Sequence, residues 1–214
     1  MVNFTFYVHE LCQSLILKII VVLIMEKRLK LYMIMLGCIP KGRLTEQHDI
    51  FFGIGNSLKN LIPQMKAFWP EAKGRIHIDA WREVCVVENF SIEIIAKDSV
   101  VNSVSDHLFF INLGGYKENE FEEYHYKILT IAESMGLASK KARRSTFYKH
   151  CGFKGAPSHI DDKYGIDVDD IYNVADILPS PIKEQYSLKI TKSDIDLKED
   201  ELHIGYLKLN KITD

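Results

Sequence analysis

Leu31-Tyr-Met-Ile-Met-Leu-Gly37 and Leu108-Phe-Phe-Ile-Asn-Leu-Gly114 are one short motif written twice, a mostly apolar run closed by glycine. A run of this length bounded by a turn signal reads as a buried strand. Sliding the chain along itself by 77 residues, from Leu31 to Leu108, lays one run over the other. The same shift brings Glu46 over Glu123, His48 over His125, Ile54 over Ile131 and Ser57 over Ser134. With five residues inserted in the second copy, His77-Ile-Asp79 then meets His159-Ile-Asp161. Internal repetition constrains architecture more than any local propensity, so the rest of the chain is read against it.

After each run the apolar positions step by three and four. Leu44, Gln47, Phe51, Ile54, Leu58 and Leu61 do so in the first copy, and Phe121, Tyr124, Ile128, Ile131, Met135 and Ala138 in the second. That spacing predicts a helix across 44–61 and another across 121–138. Asn119 with Glu122 resembles a helix start, Gly42 holds the matching place, and Pro63 is expected to end the first helix. Strand character returns at 75–78, 84–95, 145–150, 186–190 and 202–209, the last two separated by a charged turn at 194–201. The predicted class is α+β: two β-α-β-β repeats forming one or more mixed sheets with the helices packed on them, then a C-terminal hairpin. The expected divisions are an N-terminal extension at 1–24, a first repeat at 25–98, a linker near 98–106, a second repeat at 106–178 and the hairpin at 179–214.

The chain has 214 residues, 47% hydrophobic and 26% charged, with a net charge of −2. It is long enough to bury a core without staples. It carries no global field that would steer it to nucleic acid or membrane. Residues 11–24 are apolar but interrupted by Lys18 and three small or polar residues, and fall short of the roughly 20 that a spanning helix requires. They lack the basic leader and small-residue cleavage site of a signal peptide, and Met25 opens a more conventional start. Cys12, Cys38, Cys85 and Cys151 fit no zinc or disulfide spacing. Reduced thiols in a cytoplasmic protein are expected.

The strings LGCIPKGRLTEQHDIFFGIG, HIDAWREV, LFFINLGGYKENEFEEYHYKI and FYKHCGFKGAPSHIDDKYGIDVDDIYNV, in that order, resemble a bacterial family known as domain of unknown function 1543. The resemblance spans about 29–178. It implies a tandem form of a repeated unit and brings no catalytic residues.

Candidate chemistry therefore rests on the residues. His77 with Asp79, and His159 with Asp161, project to one side of a strand. His48 and His125 fall in the first turns of the predicted helices, at the edge of the apolar stripe. Imidazoles beside a carboxylate suit zinc, iron or manganese, or a general base. A shared structural role would retain them in both copies equally well. The acidic run Asp161, Asp162, Asp167, Asp169 and Asp170 lacks the alternate spacing of a calcium loop and reads as a helix cap. Lys41 and Arg43, between a glycine turn and the predicted helix, are candidates for an anion at a helix N-terminus. Lys140, Lys141, Arg143, Arg144, Lys149 and Lys154 interleave with aromatics, as single-stranded nucleic acid would require, although the acidic run beside them offsets their charge.

No Walker loop, Gly-x-Ser-x-Gly elbow or His-Glu-x-x-His is present. The leading expectation is a non-catalytic module, a duplicated domain whose clefts bind a small molecule or a protein partner. The alternative is a metal-dependent, hydrolase-like enzyme working through His48, His77, Asp79, His125, His159 and Asp161. Nucleic-acid binding comes third, and a membrane partner is not expected.

Overall fold

The computed structural model describes residues 28–99, 105–144, 159–160 and 171–213, with the backbone alone at 159–160. The first repeated run is strand β1 (Lys30–Cys38), and it turns directly into strand β2 (Gln47–Gly55). The second is β6 (His107–Tyr116), which turns into β7 (Glu123–Ala132). Both pairs are antiparallel, with Leu31 opposite Ile54 and Leu108 opposite Ile131. The two hairpins thus share one register across the 77-residue shift.

The helices expected across 44–61 and 121–138 are not formed there. Leu44 and Phe121, which were to open the two apolar ridges, are fully exposed turn residues. The steps of three and four came from strands buried on both faces: Phe51 enters one core while Phe52 and Ile54 enter another. Gly53 and Gly55 each weaken a helix by about 1 kcal/mol, and the aromatic and β-branched residues of β7 favour a pleated surface. Gly42 and Asn119 mark hairpin turns instead of helix starts, and both take positive φ, at 84° and 65°.

Helix follows each hairpin. A single 3-10 turn leads into α1 (Ile62–Phe68), and α2 (Met135–Ala142) is capped by Ser134 Oγ, which accepts from the Leu137 amide. Pro63 sits in the first turn of α1, where its missing N–H costs nothing, so it starts the helix that it was expected to end. The third strand then returns beside the first: β3 (His77–Glu83) pairs with β1, and β8 (His159–Ile160) with β6. Among the described residues the order in each unit is β-β-α-β, not β-α-β-β.

Three sheets result among the described residues. One runs β11-β3-β1-β2, with β11 at His203–Lys208. The second joins β10 (Tyr186–Lys192), β5 (Phe90–Ala96) and β4 (Val86–Val87). The third joins β7, β6 and β8, with β9 (Ile171–Asn173) also on β6. Every pairing among the described residues is antiparallel, because hairpins replace the crossovers that a mixed sheet needs. The expected C-terminal hairpin is not formed either. β10 pairs with β5 and β11 with β3, so the tail closes two different sheets.

α1 covers one face of the first sheet through Leu61, Met65, Ile34 and Ile78. α2 covers the matching face of the third through Ala138, Ala142, Ile111 and Leu113. The opposite faces meet in a common core holding Leu31, Ile54, Leu108 and Ile131, where Phe52 packs edge-on against Phe110 with ring centroids 5.5 Å apart. The fold class is α+β, with short helices on antiparallel sheets. No helix among the described residues is long and apolar enough to cross a membrane. The N-terminal extension, Cys12 and Cys151 lie outside the described residues.

Cys38 and Cys85 are free thiols, the first fully buried. Burial, with Asp200 and Glu83 nearby, pushes the Cys85 thiol up to about 11. At pH 8 about one molecule in a thousand would then carry the thiolate. The native protein should resist iodoacetamide at Cys85 at that pH and label it promptly in guanidinium. Rapid native labelling, read by peptide mass, would contradict the burial. The thiol's folded value is raised, so the stability it contributes is complete below about pH 9 and is lost as the pH climbs toward 11.

Candidate functional site

His48 and His77 reach the same place from opposite sides of one residue. Gly37 on β1 is paired with His48 on β2 and with His77 on β3. Between Met35 and Leu36 the register of β3 slips: Ala80 faces Met35 and Ile78 faces Leu36, leaving Asp79 as an extra, unpaired residue. A bulge of this kind re-aims a side chain. Here it turns Asp79 over Gly37, beside His77, because a β-carbon built on Gly37 would collide with both.

Asp79 Oδ2 lies 3.3 Å from His48 Nε2 and 3.3 Å from His77 Nε2. Glu46, just before β2, closes the ring: its Oε1 is 3.0 Å from His77 Nε2 and its Oε2 is 3.7 Å from His48 Nε2. Glu46, His48 and Asp79 offer three ligand atoms all within 4.8 Å of one another. Burial is graded, with side-chain exposures of 9% for His77 and 19% for Asp79 against 38% for Glu46 and 41% for His48. His77 Nε2 and Asp79 Oδ2 are shut off from solvent, yet neither makes a hydrogen bond of good geometry. Buried polar atoms left this way cost about 1–3 kcal/mol each unless something else satisfies them.

The cluster stands between two clefts. One, of 380 Å³, opens between the hairpins and is lined by His48, Asp49 and Ile50 from the first and by Asn112, His125 and Lys127 from the second. Burial pushes the Asp49 carboxyl up, against the pull of its hydrogen bond from the Ile50 amide. The other cleft, of 490 Å³, has His77 in its wall beside Tyr206 of β11. The Tyr206 ring leans over the His77 imidazole at 4.4 Å between centroids.

The sequence picked out His48, His77 and Asp79, and the fold brings the three together, with His48 on a strand and not on a helix. Glu46 escaped it as a ligand. The signal was there, since Glu46 recurs as Glu123 across the repeat. In the second unit Gly114 is again paired with His125 on one side and His159 on the other. Glu123 accepts a hydrogen bond of 2.6 Å from Tyr116. Asp161 and the acidic run 161–170 lie outside the described residues.

Lys41 and Arg43 sit in an exposed turn between two strands. No helix begins there, so the physical basis for an anion at that point is gone. Lys140 and Lys141 lie in α2, Arg143 and Arg144 just after it, and Lys149 and Lys154 outside the described residues. Lys141 is engaged across the units. Its Nζ is 2.7 Å from Glu88 Oε2, and Glu88 also accepts from Thr130 Oγ1 at 2.7 Å.

Comparison with known proteins adds little about chemistry. Residues 43–94 match the family described as Domain of Unknown Function (DUF1543), a segment holding Glu46, His48, His77 and Asp79. No curated protein matches the chain. A crystal structure of a protein Il1583 from Idiomarina loihiensis is similar at 19% identity, over 85% of this chain and 97% of that one, with a TM-score of 0.49.

Proposed function

We propose that the protein binds a transition-metal ion through Glu46, His48 and Asp79, with His77 as a fourth ligand or as the base beside it. The observation that carries this is Asp79 Oδ2, a buried carboxylate oxygen without a hydrogen bond, set 3.3 Å from two imidazole nitrogens. Ligand atoms at about 2.0–2.1 Å around a tetrahedral zinc stand about 3.3–3.4 Å apart, which the two Asp79–imidazole distances match, while Glu46 at 3.7 Å from His48 would draw in slightly. Mixed imidazole and carboxylate donors favour zinc, iron or manganese over magnesium or calcium. The exposed sides of Glu46 and His48 leave room for a water ligand, whose acidity the ion would raise, and this is the starting point of hydrolytic chemistry. We take the chain as two copies of one unit. Supporting this are the shared hairpin register and the recurrence of all four residue types as Glu123, His125, His159 and Asp161.

Zinc or manganese added to chelator-treated protein should bind near-stoichiometrically, at one ion per chain or two if the second unit matches the first. An ion at a hundred times its dissociation constant stabilises by about 2.7 kcal/mol. That corresponds to a rise of about 5–10 °C in melting temperature. His48→Ala should weaken affinity about tenfold or more. Protein that stays metal-free, with unchanged melting in either ion, would sink the reading.

The inter-unit cleft favours a second reading, the non-catalytic binding module, since both His48 and His125 line it. In that case a small molecule or partner segment would bridge the units, and His48→Ala and His125→Ala would impair the same binding event with no metal involved. We take the protein to be bacterial and cytoplasmic, a reading supported by the family resemblance and the free thiols Cys38 and Cys85.

A further inference from the structure

The second cleft has a charge pattern that the metal centre does not explain. Lys66 of α1, Arg75 before β3 and Lys208 of β11 all line it, and no carboxylate does. Among the described residues none of the three makes an ion pair or side-chain hydrogen bond, whereas Lys30, Arg82, Lys141 and Lys189 all hold carboxylates. Three cations from separate elements converging on one concavity repel one another, and an anion there would relieve the repulsion. The remaining wall supplies neutral groups, the Asn210 side chain, the backbone at Gly74 and the ring of Tyr206.

The backbone is shaped to form this cleft. Where β3 bulges at Asp79, β11 is irregular too: Ile204 faces Ala80 and Leu207 faces Ile78, so Gly205 and Tyr206 together stand against Asp79 alone. Gly205 holds a φ of 141°, which a residue with a side chain rarely adopts. The irregularity sets Tyr206 over His77, and Lys208, paired with His77, follows on the same strand. A volume of 490 Å³ suits a small molecule and not a polymer.

We infer that this cleft binds a small phosphate-bearing molecule, held by Lys66, Arg75 and Lys208, with the neighbouring centre behind the His77 wall. Arg75 can take a phosphate in two parallel hydrogen bonds, and the lysines supply point charges. Charge coupling to a metal across that wall rests on the reading given above, but the anion site itself does not. The test is therefore run in two forms of the protein.

Phenylphosphonate is a phosphate-ester analogue that cannot be hydrolysed. It should bind both chelator-treated and zinc-loaded protein in calorimetry, more weakly as salt is raised. Arg75→Ala and Lys208→Ala lie on exposed positions and should each weaken binding about tenfold in both forms. His48→Ala should remove only the gain that zinc confers. If zinc never binds but the chelator-treated protein takes phenylphosphonate in an Arg75-dependent way, the metal reading fails and the anion site stands. No binding in either form, or equal binding by Arg75→Ala, overturns the anion site whatever the metal does. Equal affinity with and without zinc overturns the charge coupling to the centre.

Discussion

Replacing Gly37 by alanine is expected to abolish metal binding and to cost the fold about 1–3 kcal/mol. A β-carbon at this position would sit 3.0 Å from His77 Cε1 and closer still to His77 Nε2 and Asp79 Oδ2. His77 is nearly enclosed and Asp79 sits on the bulge, so neither side chain can keep its present place beside the added carbon. The methyl group therefore has to push apart the two atoms that define the centre. Because ligand geometry governs affinity, zinc should bind about a hundredfold more weakly or worse, measured by competition with a chromophoric chelator below the variant's melting temperature. Gly37→Ala that binds zinc as wild type does would show that the cluster is not the centre. The same substitution separates a ligand shell from a mere network of ion pairs. If His77 and Asp79 only stabilised the strand end, the variant would lose stability and there would be no metal affinity to lose.

The role of this glycine explains what was legible in the sequence. The runs Leu31 to Gly37 and Leu108 to Gly114 do both lie in strands, β1 and β6, and His48, His77 and Asp79 were singled out by the matching residues at 125, 159 and 161. Periodicity misled where a strand is covered on both sides. In β2, Phe51 faces the α1 core while Phe52 and Ile54 face the inter-unit core, so hydrophobicity neither alternates nor skips. A helical spacing can then be traced through the run by chance. The two glycines of β2 spoke against a helix, and the tyrosines, isoleucines and threonine of β7 spoke for a strand. Hairpins in turn exclude crossovers, and with them the mixed sheet.

Other features were illegible for a different reason: they depend on contacts between distant segments. Asp79 gains its aim from a register slip against β1, which no local pattern encodes. Glu46 looked like one turn residue among several, because only folding sets it between His48 and His77. The basic cleft draws on Lys66, Arg75 and Lys208, which no motif joins and which the sequence offers as ordinary surface charges. Lys141 shows the converse. It stood in a basic run that resembled a nucleic-acid surface, and in the fold it grips Glu88, which the β4–β5 turn presents at a φ of 48°.

Asp200→Ala is expected to destabilise the protein by about 3–5 kcal/mol, since it strips the partners of a part-buried charge. Asp200 Oδ2 accepts from the Cys85 amide at 2.8 Å, the Val86 amide at 2.9 Å and Arg82 Nη2 at 3.2 Å. Its side chain is 12% exposed and that of Arg82 16%, so water replaces these bonds poorly. The melting temperature should fall by about 6–20 °C, and Asp200→Asn, which keeps the shape but not the charge, should fall between the variant and wild type. A change of under about 1 °C in Asp200→Ala would contradict this assignment. The consequence reaches the functional surface because the segment that Asp200 anchors leads into β11. Tyr206 and Lys208 ride on that strand, whereas Glu46, His48, His77 and Asp79 do not. At a temperature where Asp200→Ala is still folded, phenylphosphonate affinity should drop about tenfold while zinc affinity changes by less than about threefold. Equal loss of both would mean that β11 supports the metal centre as well as the cleft, and that the two sites are one.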